Sequence, residues 1–394
     1  MQRSSSTASG IPTSEFTRRK ERGLAAAAHA QEDPMSSFGP TVRAVRARAV
    51  IVPRQRPMRT AVGVIPTAPL VLIDVETSGG IPGSAYIFTY TEAALKPTLA
   101  LVETIGAEII GQSAAPLERL RAFDMRFRLL GTEGLVGMAI AGFDMALWDA
   151  LGRAVGKSVA ELLGAEAKPI RAYDSFGVID PRAEEAELRR SLDRGFRGIK
   201  MKIGGGDVAA DIEAVRALRA IVGPDIQVMV DYNQSLDAPE ACARLARLRD
   251  FDLHWVEEPV RAEDLAGHAR VRAEAGVKVQ TGESWWFPAD CARAIAAGAS
   301  DFAMLDVMKI GGISGWLRAA ALAEAANLPV SSHAFIEASA HAMAATPTAH
   351  WIEYLDNAGP ILKAPLEVVD GTITPSGPGL GMTWDEKAVA RYAA

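Results

Sequence analysis

GIKMKIGGGDVAADIEAVRALRAIVGPDIQVMVDYN, residues 198–233, decides the fold. It opens on a short apolar run, GIKMKI, closed by a glycine-rich break. DIEAVRALRAIVG follows with apolar residues at helical spacing, and then a second apolar run, IQVMVDYN. Strand, amphipathic helix, strand is a βαβ unit with a parallel strand pair. The rhythm repeats in both directions. IRAYDS (170–175), LHWVEEP (253–259), VKVQTGE (277–283), FAMLDVMK (302–309), LPVSSH (328–333) and HWIEYL (350–355) bring the strands to eight, each expected to be followed by an Ala/Arg/Leu/Glu-rich helix. Eight βα units predict an α/β protein built on a (β/α)8 barrel, spanning 169–360.

Upstream, 37–168 reads as an α+β capping domain. A three-stranded meander starts at Val42, with helices over 92–110, 116–129 and 136–153. VGMAIAGFDMALWDALG in the last of them is apolar nearly all round, which marks a buried helix. Residues 361–394 are loop-rich, with Gly-Pro-Gly-Leu-Gly, and are expected to return to the first domain. Residues 1–36 are rich in Ser, Ala and Arg without an apolar period, the composition of a disordered tail. Met35 is the expected alternative start.

The chain carries 42 Lys+Arg against 48 Asp+Glu, a net charge of −6, and is 49% hydrophobic. These values exclude a disordered chain, a collagen-like repeat and a basic nucleic-acid-binding domain. No run of about 18 uncharged apolar residues is present, so no membrane span is expected. Two cysteines, Cys242 and Cys291, cannot form a disulfide framework and fit a reducing cytoplasm.

Charged and polar residues close the apolar strands. Ser175 follows the first, Lys200 and Lys202 end the second, and Asp231 and Asn233 the third. Glu257, Glu283, Asp306, His333 and Glu353 end the next five. The C-terminal strand ends are where barrel enzymes build their active sites. Asp231, Glu257 and Glu283, on three consecutive strands, would repel one another without a cation between them, and oxygen-only ligands suit Mg2+, one per subunit. Lys200 and Lys202, two apart, project to one side of a strand, where each should depress the other's pKa and fit one for general-base work. Asp306 beside His333 would fix the imidazole tautomer and raise its basicity. A protonated Glu353 could donate a hydrogen bond to an oxyanion. His341, in a helix-like stretch, and His350, opening the last strand, read as structural. This constellation suits α-proton abstraction from a 2-hydroxy carboxylate to an enediolate. Two bases on different faces give racemisation, and a β-hydroxyl would turn the same bases to elimination of water.

The segments KMKIGGGD, VMVDYNQSLD, WVEEP, TGESW, DVMKIGGISGW, SSHAFIEASAHAMAATPTAHWIEYLD and TAVGVIPTAPLVLID resemble the mandelate racemase subgroup of the enolase superfamily, from about Val42 to the C-terminus. The resemblance implies a modified TIM barrel under a capping domain. It implies that Asp231, Glu257 and Glu283 hold Mg2+, that Lys202 acts on the (S)-substrate, and that His333, oriented by Asp306, acts on the (R)-substrate. Glu353 matches the general acid and Lys200 the cation at the substrate carboxylate. Ser175 and Asn233 match substrate-contacting positions. It also implies an apolar specificity lining of Met58, Val62, Ile65, Phe88, Tyr90, Leu129 and Leu355, suited to an aryl group. Phe176 stands where the subgroup has His, and Ala334, also substrate-facing, where it has Leu. A homo-oligomer, up to an octamer, is implied as well. The partner expected is a small carboxylate, without nucleic acid or membrane. Three functions follow: a racemase of a mandelate-like acid, an acid-sugar dehydratase, or a metal-binding homologue without catalysis, the last disfavoured by the complete set of bases.

Overall fold

The computed structural model describes residues 40–60 and 63–394; the tail expected over 1–36, and Val62, lie outside the described residues. The chain first forms an antiparallel sheet in the order β1 (Val42–Thr60), β2 (Gly63–Thr77), β3 (Pro82–Phe88). Three helices follow: α1 (Glu92–Ile109), α2 (Pro116–Phe127) and α3 (Leu135–Val155), with a short turn of helix α4 (Val159–Leu162). Helix α3 is long and apolar enough to cross a membrane, but here it is mostly buried inside the fold. Its all-round apolar character is that of a helix packed between a sheet and other helices.

The barrel strands are β4 (Ile170–Val178), β5 (Gly198–Lys202), β6 (Gln227–Asp231), β7 (Leu253–Glu257), β8 (Val279–Thr281), β9 (Phe302–Asp306), β10 (Val330–His333) and β11 (Ala349–Tyr354). All neighbours are parallel, and β11 pairs with β4 to close the ring. The connecting helices are α5 (Glu185–Asp193), α6 (Val208–Val222), α7 (Ala238–Leu248), α8 (Leu265–Glu274), α9 (Phe287–Ala297), α10 (Gly312–Ala325) and α11 (Ile336–Ala344). The eighth strand departs from the expected pattern. No α-helix follows β11 directly; residues 355–385 are broken by Pro360, Pro365, Pro375 and Pro378 and hold only a 3-10 turn (Gly359–Ile361) and a short strand, β12 (Thr372–Ile373), antiparallel to β4. Proline removes the donor and the dihedral freedom that a helix there would need. Helix α12 (Glu386–Arg391) then lies against the first sheet: Arg48 bonds Asp74 at 2.7 Å and Glu386 at 2.6 Å.

Alternation along the strands fills the barrel. Tyr173, Met229, Trp255, Phe302, Met304 and Trp351 form one closed cluster. Gly198 makes room for it, since a Cβ there would meet Tyr173 at 2.9 Å and Met229 at 3.0 Å. One or two alternations further along come Ser175, Lys200 and Lys202, Asp231, Glu257, Asp306 and Glu353, which therefore point into the mouth.

Buried polar contacts tie the cap to the barrel. Asp144 of α3 accepts from Ser314 N at 2.9 Å, satisfying the first turn of α10. Trp148 donates to Ser314 Oγ at 2.9 Å. Gly177, near the end of β4, lets the β1–β2 hairpin come close: a Cβ there would lie 2.6 Å from Arg59 N and O. Tyr86 of β3 donates to Glu337 of α11 at 2.8 Å.

That last pair predicts a pH effect. Burial, aided by Asp356, pushes the Glu337 carboxyl from 4.5 up to about 7. Between those values the folded chain binds more protons than the unfolded one, so stability falls as pH rises through this window. Glu337→Gln keeps an acceptor for Tyr86 and removes the titration. Its melting temperature should therefore drop less between pH 5 and pH 8 than that of the wild type; an unchanged drop would show that Glu337 does not titrate in this range.

Candidate active site

Strand register brings the site together. Lys202 pairs with Asp231 across β5–β6, Asp231 with Glu257 across β6–β7, and His333 with Asp306 across β10–β9. Ladder neighbours lie about 5 Å apart, so side chains aimed the same way must meet. Asp231, Glu257 and Glu283 each bring an oxygen within 4.8 Å of the others. Asp231 and Glu257 are fully buried.

Each buried carboxylate is held from behind. Asn233 donates its backbone N to Asp231 Oδ1 at 2.7 Å and its amide to Oδ2 at 3.1 Å. Trp255 and Gln280 both donate to Glu257 Oε2 at 3.2 Å. The front oxygens face the lysines: Lys202 contacts Asp231, and Lys200 contacts Glu257 and reaches Glu353 at 2.8 Å. His333 Nδ1 lies 2.6 Å from Asp306 Oδ2, and its Nε2 lies 3.3 Å from Glu283 and 3.8 Å from Glu353. Asp306 Oδ1 is fixed by Met308 N and Lys309 N.

Electrostatics correct one expectation and decide another. The lysine pair was expected to lower its own pKa. Burial and Lys200 do pull Lys202 down, but Asp231, with Glu283 and Glu257, outweighs them and the net shift is upward. Glu353 was read as a donor if protonated, or else as one partner of a salt bridge. Burial favours the protonated form, yet Lys200, His333 and Lys202 overcome it and hold the carboxyl at about 2. Burial also raises Glu257, against the pull of Lys200, to about 8. His333 loses charge by burial but gains more from Glu283, Asp306 and Glu353, and rises to about 9. Acidic groups crowd the mouth, and two lysines and an imidazole compensate them. A small divalent cation among oxygen-only donors fits this arrangement.

The other candidates divide. Ser175 is buried at the mouth, in register with Lys200. Asn233 is drawn to Asp231, and its Oδ1 is buried without a partner among the described residues. Tyr90 packs at 4.6 Å on Phe88 and under Lys309 Nζ at 4.9 Å; its hydroxyl too is buried and has no partner among the described residues. Ile65 pairs with Met58 in the capping hairpin, and Met58 is buried. Ala334 contributes through its backbone: in a left-handed conformation (φ 46°), its N–H donates to Glu353 Oε2 at 3.0 Å. Leu129 lies in the turn beyond α2 and is wholly exposed, so it does not line the site. His341 Nδ1 accepts from Ala160 N at 3.2 Å, and His350 meets His254 at 3.3 Å, both away from the mouth.

Several participants were missed. Gln280 and Trp255 support Glu257, and Glu258 is buried beside the cluster with Oε1 unpartnered. A second carboxylate in the VEEP run was the available signal for Glu258.

Comparison with known proteins agrees with this fold. The family described as enolase C-terminal domain-like matches residues 183–388, and the mandelate racemase / muconate lactonizing enzyme N-terminal domain matches residues 42–164. An enolase from Bradyrhizobium, crystallised with magnesium and mandelic acid, is 56% identical, with a TM-score of 0.89 over 90% of this chain and 99% of that one. The 3,6-anhydro-alpha-L-galactonate cycloisomerase of Streptomyces coelicolor is 31% identical over 331 residues, 82% of this chain and 91% of that protein. The L-talarate/galactarate dehydratase of Salmonella typhimurium is 29% identical over 362 residues, 89% of this chain and 88% of that protein.

Proposed function

This chain belongs to the mandelate racemase / muconate lactonizing enzyme family of the enolase superfamily, and we propose that it is a Mg2+-dependent racemase of a mandelate-like 2-hydroxy carboxylate. The observation that carries the reading is the pair of bases. Lys202 on β5 and the His333–Asp306 dyad on β10 and β9 face one mouth from separate strands, with Asp231 on β6, Glu257 on β7 and Glu283, two residues beyond β8, between them. Mg2+, held by Asp231, Glu257 and Glu283, would neutralise their charge, release Lys202 from Asp231 so that it can titrate downward, and stabilise the negative charge of an enediolate.

Lys202 removes the α-proton from one face of the substrate, and the C–H electron pair moves into the carboxylate. Protonated His333 returns a proton to the α-carbon from the other face, which inverts the centre; the reverse reaction exchanges the roles. Asp306 holds Nδ1, so that Nε2 meets the substrate. Lys200 binds the substrate carboxylate. A substrate anion taking the place of Glu353 beside Lys200 would raise the Glu353 carboxyl, and Glu353 would then donate a proton to the developing oxyanion. Ser175, Asn233 and Tyr90 contact the substrate, and Ile65 shapes the cap above it.

The test is incubation with Mg2+ and (R)-mandelate in D2O, following optical rotation and α-proton loss. Loss of rotation with deuterium incorporation, abolished by EDTA, is expected. No exchange would remove mandelate. A dehydratase is the second reading, favoured by the likeness to the talarate/galactarate enzyme. It predicts 2-keto-3-deoxy products from acid sugars by the same bases.

A further inference from the structure

The loop that carries the acidic partner of His333 lies beneath the capping domain. Every residue from Phe302 to Trp316 is buried, from β9 through the connection and into the first turns of α10. A βα connection ordinarily runs over the surface. Within this one, the loop itself orients Asp306. Its Oδ1 accepts from Met308 N at 2.7 Å and Lys309 N at 3.0 Å, which leaves Oδ2 turned to His333 Nδ1 at 2.6 Å. Backbone bonds tie the same loop to the start of α10: Ile310 N donates to Asp306 O, and Gly312 N to Val307 O, both at 2.8 Å. The direction of the dyad therefore depends on where α10 begins.

Helix α10 does not fix that start alone. Its N-cap is Gly311, which has no side chain to accept from the first N–H groups. The acceptor comes from the other domain. Asp144, buried in α3, takes the Ser314 N–H at 2.9 Å, and Trp148, one turn further along α3, donates to Ser314 Oγ at 2.9 Å. Gly311 and Gly312 both adopt the left-handed backbone, and a Cβ on Gly312 would lie 2.3 Å from Asp144 Oδ2. The two-glycine start is thus shaped to admit this carboxyl. Burial raises the Asp144 carboxyl to about 7, against the pull of Ser314. In either form it keeps an oxygen that accepts. We propose that Asp144 is a positioning residue for the reaction: from the capping domain it caps α10, and through the 306–312 loop it holds Asp306 and His333 in line for proton transfer at Nε2. The proposal rests on the two-base reading for the role of His333 and adds to it a residue of the capping domain that touches neither substrate nor metal ligand.

The test compares wild type with Asp144→Ala and Asp144→Asn, each as the Mg2+-loaded full chain, by deuterium exchange from (R)- and (S)-mandelate measured separately. Asp144→Ala should lower exchange on the (R) face, served by His333, about 10- to 100-fold, the cost of misplacing a catalytic group from a distance. Exchange on the (S) face, served by Lys202 across the barrel, should stay near the wild-type rate. Loss of folded or Mg2+-loaded enzyme would lower both faces together, so the split separates positioning from stability. Asp144→Asn keeps an acceptor for Ser314 N but not the charge, and should lose less, on the same face alone. If Asp144→Ala does not fold, the asparagine variant decides by the same split. Crystal structures give a readout independent of the reaction. The His333 Nδ1–Asp306 Oδ2 separation should open from 2.6 Å to beyond hydrogen-bonding distance in Asp144→Ala, and lengthen in Asp144→Asn. Equal loss on both faces, no loss on either, or an unmoved dyad overturns the proposal. An opened dyad, beside a wild type that exchanges neither enantiomer, would keep the role of Asp144 and reject the racemase reading for mandelate.

Discussion

His333→Asn is expected to lose deuterium exchange from (R)-mandelate while retaining exchange from the (S)-enantiomer. The asparagine occupies similar space and can still bond Asp306, so the site should keep its shape. What disappears is the proton acceptor whose Nδ1 lies 2.6 Å from Asp306. Lys202 stands on β5, separated from β10 by β4 and β11 on one side of the ring and by β6 to β9 on the other. One base can therefore be removed without disturbing the other. Loss of a positioned general base costs about 10²- to 10⁴-fold, and racemisation needs both bases, so turnover should fall by at least that factor. Lys202→Ala should give the mirror result, with exchange surviving only on the His333 face. Equal loss on both faces in either variant would mean that one base serves both enantiomers, and the two-base reading would fail.

Much of this was legible because a barrel imposes simple rules on its sequence. Strands buried on both sides read as short apolar runs, and the charged residues that interrupt them at one end have few places to go but the mouth. Asp231, Glu257, Asp306, His333 and Glu353 could be found that way, because each sits at a strand end. The ionisation states could not. Whether Lys202 rises or falls depends on how close Asp231 comes on the next strand, and the sequence shows only that two lysines stand two residues apart. Glu353 is the same case, since its charge is decided by Lys200 two strand positions away in the ring. The bulge between Pro53 and Met58, which turns Arg54 over Phe88, was hidden for another reason: it is a mismatch of register between β1 and β2, which belongs to the pairing and to neither strand alone. Leu129 was misplaced because α2 ends at Phe127, two residues short of the predicted end, and the chain then turns outward. The eighth helix was expected by analogy with the seven before it, although the prolines after β11 argued against one.

Removing one metal-binding carboxylate tests the other half of the mechanism. Glu257→Gln changes shape very little and charge by one unit. The back oxygen of Glu257 accepts from Trp255 and Gln280, and beyond it the Gln280 amide reaches only the weak acceptor Met304 Sδ, at 3.4 Å. The glutamine oxygen must therefore turn toward them, which points its NH2 group at Lys200 and at the position between Asp231 and Glu283. A donor there opposes any cation. Changing a group that merely supports a ligand costs about 10- to 100-fold in metal affinity or activity, so losing the ligand itself should exceed that. The expected result is Mg2+ affinity, by titration calorimetry, weakened by more than about 100-fold, with exchange lost on both faces at once. That pattern differs from the single-face loss in the base variants, because charge stabilisation of the enediolate serves proton removal from either side. Part of the exchange should return at high Mg2+ concentration if the glutamine weakens binding without misplacing the ion. Undiminished Mg2+ binding in Glu257→Gln would instead show that Asp231 and Glu283 hold the metal without Glu257, and that the buried Lys200–Glu257 contact is a structural ion pair.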